Sequence, residues 1–149
     1  MLKIYRGRTS GFSLIHLLII IVVVVVLAGI AAPRLLKQQE KARRTQASND
    51  IDTLGLALDI YASHNGTYPS TEQGLKALWE KPIIPPVPTK WQGPYLDKPI
   101  LKDAWGNDYI DIYPGRHNKN DCDLLSYGKD GMPGGKGDNE DIVNWTEEE

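Results

Sequence analysis

From Phe12 to Ala32 the chain is almost unbroken apolar sequence, with His16 as its single ionisable residue. At about 1.5 Å of rise per helical residue the run reaches roughly 30 Å, the thickness of a bilayer's hydrocarbon core. It predicts a membrane-spanning helix. After Pro33, where a kink is expected because proline removes one helical hydrogen bond, the pattern changes to one-sided. Ile51, Leu54, Leu58 and Tyr61 recur at helical spacing, while Asn49, Asp50, Asp52 and Asp59 fall mostly on other faces. The helix is therefore expected to continue to about residue 65, where Asn65-Gly66 supplies a pair suited to positive φ past a helix end. One long helix, half in lipid and half covered by a head, is the economical reading.

The remainder is loop-rich. A short helix is expected to start near Ser70-Thr71, with Glu72 and Gln73 in its first turn and Leu75, Leu78 and Trp79 on its apolar face. The run from Lys81 to Pro88 holds too much proline for a helix or a central strand and predicts an extended surface segment, read as a rigid connector in preference to a polyproline ligand. Trp105 to Ile112 and Asp123 to Tyr127 read as short strands, with a turn at Pro114-Gly115. The fold class is α+β: a long amino-terminal helix packed on a small antiparallel sheet, with a loop-rich carboxy-terminal region.

Length and charge narrow the function. In a chain of 149 residues, the first third spent on leader and helix leaves room for one small domain. A formal net charge of -2 offers no basic field for nucleic acid, so Arg34, Lys37, Lys41, Arg43 and Arg44 read as a solvated or headgroup-facing surface. Cys122 is the only cysteine, which excludes an intramolecular disulfide, and Asp121 and Asp123 beside it disfavour a thiolate. His16, His64 and His117 have no nucleophile or carboxylate partner by position, and Ser126 lacks the context of a nucleophile elbow, so no enzyme is expected. Trp79, Trp91, Trp105 and Trp145 are read as core and seam residues in preference to a sugar platform.

The last stretch, Asp130 to Asp141, interleaves glycines with Asp130, Asp138, Glu140 and Asp141. Glycines let carbonyls turn inward, and carboxylates are the hard oxygen ligands that Ca²⁺ takes, though the spacing is not that of an EF-hand. By itself the segment reads as a solvated turn or as a cation loop.

The basic leader (Lys3, Arg6, Arg8) ends at Gly11, before the apolar run rather than after it as in a secretory signal. This resembles the class III leader of type IV pilins and pseudopilins. The resemblance implies cleavage between Gly11 and Phe12 by a prepilin peptidase, N-methylation of Phe12, and a division into leader 1–11, membrane and assembly helix 12–33, and periplasmic head 34–149. Tyr68 to Leu75, Gly93 to Leu96, Asp103 to Tyr109 and Ser126 to Gly131 then follow in the order seen in the major pseudopilins of type II secretion. That family implies a type IV pilin-like fold and a structural Ca²⁺. Its ligands would be the side chains of Asp130 and Asp141, a third from Asp138 with Glu140 as the alternative, and the backbone carbonyls of Tyr127 and Met132. Lys129 and Lys136 are expected to point away from it.

His16 stands where the family carries the Glu thought to neutralise a neighbour's amino terminus, and an imidazole is never anionic. A count of basic residues favours a cytoplasmic carboxyl end, but the leader's resemblance implies the opposite orientation, with the head outside the bacterial inner membrane. The function implied is a structural subunit of a periplasmic filament that drives protein export across the outer membrane. Its partners would be further copies of itself, other pseudopilins, the inner-membrane assembly platform and the peptidase. The alternatives are a non-polymerising membrane-anchored interaction module and a minor or tip subunit.

Overall fold

A computed structural model describes residues 13–146, without the side chains of residues 30–33. Gly11 and Phe12 lie outside the described residues. The chain divides into two compact units, Met1–Gln39 and Glu40–Glu149.

Helix α1 runs from Leu14 to Asn65. In the first unit it is bare: every Leu, Ile and Val side chain from Leu14 to Leu27 exposes 47% or more of its surface. This one helix is long and apolar enough to cross a membrane. The stretch in the second unit behaves differently. Ala47, Ile51, Leu54, Ala57, Leu58 and Tyr61 are buried along one face, as the helical spacing predicts, and Asp52 and Asp59 are exposed. The helix ends where Asn65-Gly66 predicts. Gly66 takes φ +81°, its amide reaches Ala62 O at 2.7 Å, and Asn65 Nδ2 donates back to Tyr61 O at 2.9 Å.

Ser70 and Gln73 form a reciprocal pair: Ser70 N donates to Gln73 Oε1 at 3.1 Å and Gln73 N to Ser70 Oγ at 3.3 Å. This is capping-box chemistry, yet only a turn follows, then a single 3₁₀ turn over Leu75–Leu78 that buries Leu75, Ala77 and Leu78. Gly74, at φ +61°, separates the two. The Gln73 carboxamide also donates to Ile84 O at 2.7 Å and Pro86 O at 2.9 Å, which ties the proline segment to the head.

The sheet is antiparallel in the order β1-β2-β3, with β1 at Ile110–Ile112, β2 at Asp123–Ser126 and β3 at Ile142–Val143. Asp111 pairs with Leu124 and Ser126 with Ile142. All of β2 is buried. The first strand is shorter than expected because Asp103 Oδ1 takes the amides of Trp105 at 3.0 Å and Asn107 at 2.8 Å, which folds that stretch into a turn instead of a ladder. Strand β3 was not expected, since two residues carry no alternation. The core joins the buried helix face to Leu75, Leu78, Tyr109, Cys122, Leu124 and Ile142, with Trp91 and Trp105 packed against it half-buried.

Candidate functional site

Two places carry chemistry: the bare helix and the glycine-rich loop after β2. His16 lies exposed on the helix among apolar neighbours.

The loop leaves β2 through Tyr127 into a 3₁₀ turn, Gly128–Asp130, which touches a second at Gly137–Asn139. Its path requires glycine at Gly135, where φ is +98° and a Cβ would collide with the Asn139 carbonyl. The expected ligands are distributed unevenly. Asp141, partly buried before β3, takes the Gly134 amide on Oδ2 at 2.9 Å, while its buried Oδ1 has no partner. Asp130 is exposed and accepts from the Met132 amide at 3.2 Å. Asp138 is exposed within the second turn. Glu140 is exposed and turned towards Arg44, whose guanidinium donates to Glu140 O at 2.7 Å and lies 4.0 Å from the carboxylate. Lys129 points to Glu40, at 3.9 Å. Among the described residues no three His, Cys, Asp or Glu side chains gather closely enough to hold a metal. A cation here would need carbonyl oxygens beside two carboxylates. The donor set fits a hard cation: the orphaned Asp141 oxygen is a buried acceptor in want of a donor or a charge.

The sequence reading missed a buried network behind this loop. Ser126 Oγ donates to Asp103 Oδ2 at 2.6 Å and accepts the Gly128 amide at 3.0 Å, and Asn107 Nδ2 donates to Gly128 O at 2.7 Å. Asp103 is thereby a carboxylate with both oxygens satisfied. Its signal in the sequence, an Asp two and four residues before amides it can cap, was present in Asp103 to Asn107.

A second carboxylate organises the connection between β1 and β2. Asp123, 1% exposed, accepts the amides of Arg116, His117 and Asn118 at 2.7, 2.9 and 2.9 Å and faces His117 Nδ1 at 3.0 Å. Burial works to raise its pKa, but these hydrogen bonds outweigh burial and hold the carboxyl below the ordinary range. The His117 ring stacks on Trp145 with centroids 4.1 Å apart. His117 therefore does have a carboxylate partner, which sequence position concealed. The partner positions a loop, and the candidate nucleophiles are engaged elsewhere: Ser126 bonds Asp103, and burial pushes the Cys122 thiol up to about 12.

Asp111 is the opposite case. Burial raises its carboxyl to about 6 from an ordinary 3.8, against the lowering effect of its own amide and that of Leu75. The folded state holds the proton more tightly than the unfolded chain, so the cost is present above pH 6 and is relieved as pH falls through that value. Ionised at neutral pH it costs about 2–3 kcal/mol. Asp111→Asn is expected to raise the melting temperature at pH 7.5, and the gain should shrink at pH 4.5. An equal gain at both values would contradict the assignment.

Residues 34–145 match the family model described as Type II secretion system (T2SS), protein G. The chain is 44% identical over 139 residues to type II secretion system core protein G of Pectobacterium carotovorum subsp. carotovorum, covering 93% of this chain and 86% of that protein. It is 41% identical over 138 residues to the protein of the same name from Escherichia coli K12, covering 93% and 92%. Among solved structures, it is similar to the major pseudopilin from the type 2 secretion system of enterohaemorrhagic Escherichia coli. That match has a TM-score of 0.64 at 37% identity and covers 74% of this chain and 89% of the other.

Proposed function

This chain belongs to the type II secretion system protein G family, and from that premise we propose that its copies stack through their amino-terminal helices into a periplasmic filament that drives proteins across the outer membrane. That it is a structural subunit of the secretion pseudopilus follows from the family and from the match to a major pseudopilin. The observation that carries the filament is the bare helix: thirteen Leu, Ile and Val side chains between Leu14 and Leu27 have no cover among the described residues. Lipid supplies that cover before assembly, and neighbouring helices supply it afterwards. An interface between unlike faces, repeated without closing, builds a filament rather than a ring.

The proposal includes a processing step and a cation. Cleavage between Gly11 and Phe12 with methylation of Phe12 would free the helix for assembly. The loop would hold Ca²⁺ through Asp130 and Asp141, with Tyr127 and Met132 offering carbonyls, and exposed Asp138, or Glu140 in its place, would turn in as the third acid on binding. The ion would supply a fixed positive charge that draws these oxygens into one loop, and binding only the folded state it would add stability by mass action. Its role is structural. His16 favours a second reading, a tip or non-polymerising copy, because it cannot offer a neighbour's amino terminus a negative charge.

Crosslinking decides between the two. Val23→Cys and Val25→Cys, which fall on opposite sides of the helix, in one full-length chain expressed with its secretion apparatus, are expected to give a ladder of covalent oligomers. Cys122 stays silent because it is buried and its thiol is pushed up. Monomers and dimers alone would favour the second reading. Intact mass of the same preparation reads the processing step, which predicts a chain beginning at Phe12.

A further inference from the structure

We propose that Asp103 and Asn107 are positioning residues for the cation loop, acting through Gly128. The inference rests on the reading that this loop binds Ca²⁺. Gly128 is held at both of its backbone polar groups by side chains. Its amide donates to Ser126 Oγ at 3.0 Å and its carbonyl accepts from Asn107 Nδ2 at 2.7 Å. Asp103 fixes both supports. It takes the Ser126 hydroxyl on Oδ2 at 2.6 Å and the Asn107 amide on Oδ1 at 2.8 Å. Asp103 is 6% exposed and Ser126 fully buried, so water does not compete for the two bonds through the Ser126 hydroxyl.

The position of Gly128 makes this more than loop packing. It stands between Tyr127 and Asp130, two of the groups expected to face the ion, and its φ of +64° turns the chain between them. On the other side its Cα approaches the Glu140 backbone, where an added Cβ would lie 3.2 Å from the carbonyl oxygen. The Asn107 carboxamide continues past Gly128 to Gly131, where a Cβ would lie 3.0 Å from its Oδ1. A single side chain, twenty-one residues away in sequence from Gly128, thus borders the loop at two of its left-handed glycines. Partners that orient metal-holding groups characteristically cost about 10–100-fold in affinity when removed.

The test is calcium titration calorimetry on the full-length protein in detergent micelles, with melting temperatures in calcium and in chelator. Asn107→Ala is expected to weaken calcium binding by about tenfold or more, with a chelator melting temperature close to that of the unsubstituted protein. Ser126→Ala, which removes only the hydroxyl between Asp103 and Gly128, should weaken binding in the same direction and keeps the test open if Asn107→Ala does not fold. Affinity unchanged in both variants overturns the positioning role while leaving the cation reading intact. So does a chelator melting temperature that falls as far as the calcium one, since that marks a general support of the head. Absence of calcium binding by the unsubstituted protein overturns the cation reading, and the positioning role with it.

Discussion

Asp123→Ala is expected to destabilise the head by about 3–5 kcal/mol, because three partly buried backbone amides lose their shared acceptor. The carboxylate collects three consecutive amides, from Arg116, His117 and Asn118, besides the His117 ring. Alanine leaves those amides without an acceptor at a site where Asp123 itself is 1% exposed. Each buried donor left unmade costs about 1–3 kcal/mol. For a domain of this size the melting temperature should fall by more than about 10 °C. Thermal unfolding of the full-length protein, followed by tryptophan fluorescence, measures it, because Trp145 stacks on the His117 that Asp123 holds. A shift of a degree or two would mean that water replaces the carboxylate at little cost.

The same residue sets the sign of an acid limb. Its folded-state pKa is held below the ordinary carboxylate range, so its contribution is complete above the unfolded value and is lost as pH falls through the lower, folded one. Asp111 runs the other way, its cost disappearing as pH drops below about 6. From pH 7 downward, stability therefore rises first as Asp111 takes up its proton and declines at more acid pH as Asp123 begins to.

What was legible in the sequence was whatever local physics decides. Ile51, Leu54, Leu58 and Tyr61 were placed on one face by spacing, and all four are buried. Asn65-Gly66 marks the helix end, whereas the helix expected from Ser70-Thr71 is a turn followed by the 3₁₀ turn Leu75–Leu78. The pattern of helix and strands carries the α+β class, and the family's motifs narrow it to a type IV pilin-like fold. What escaped were structures made by side chains far apart in sequence or too few to show a period. The turn that Asp103 makes with the Trp105 and Asn107 amides is local, but its other partner, Ser126, lies 23 residues on, and no local pattern announces that bond. Likewise, sequence places Asp123 at the start of a strand and beside Cys122, while its carboxylate closes the Arg116–Asn118 loop. The four tryptophans sit half-buried at seams rather than in the core centre. Trp91 Nε1 donates to Ala77 O at 2.9 Å and Trp105 Nε1 to Glu40 at 2.8 Å, so each has a polar reason to stay at an edge.

Tyr61→Ala is expected to cost about 3–5 kcal/mol, as large-to-small changes of buried aromatic residues do. Tyr61 is 2% exposed, and its ring meets Tyr95 edge-on at 5.5 Å, joining the last turns of the helix to the segment after the proline run. Tyr95 is held in turn by Trp91 at 5.8 Å and bonded through its hydroxyl to Asn65 and the Gln92 amide. The cavity therefore opens among rings that other contacts keep in place, and little collapse can offset it. Leu56→Ala on the same helix makes the contrast. Leu56 is 66% exposed, with no place in the buried core. Its loss should change the melting temperature of the isolated, detergent-solubilised chain by no more than the equivalent of about 0.5 kcal/mol. Measured together by thermal unfolding, the pair tests whether the helix face that the hydrophobic spacing picked out is the face that holds the head. Equal effects at both positions would mean that burial along this helix does not follow its period.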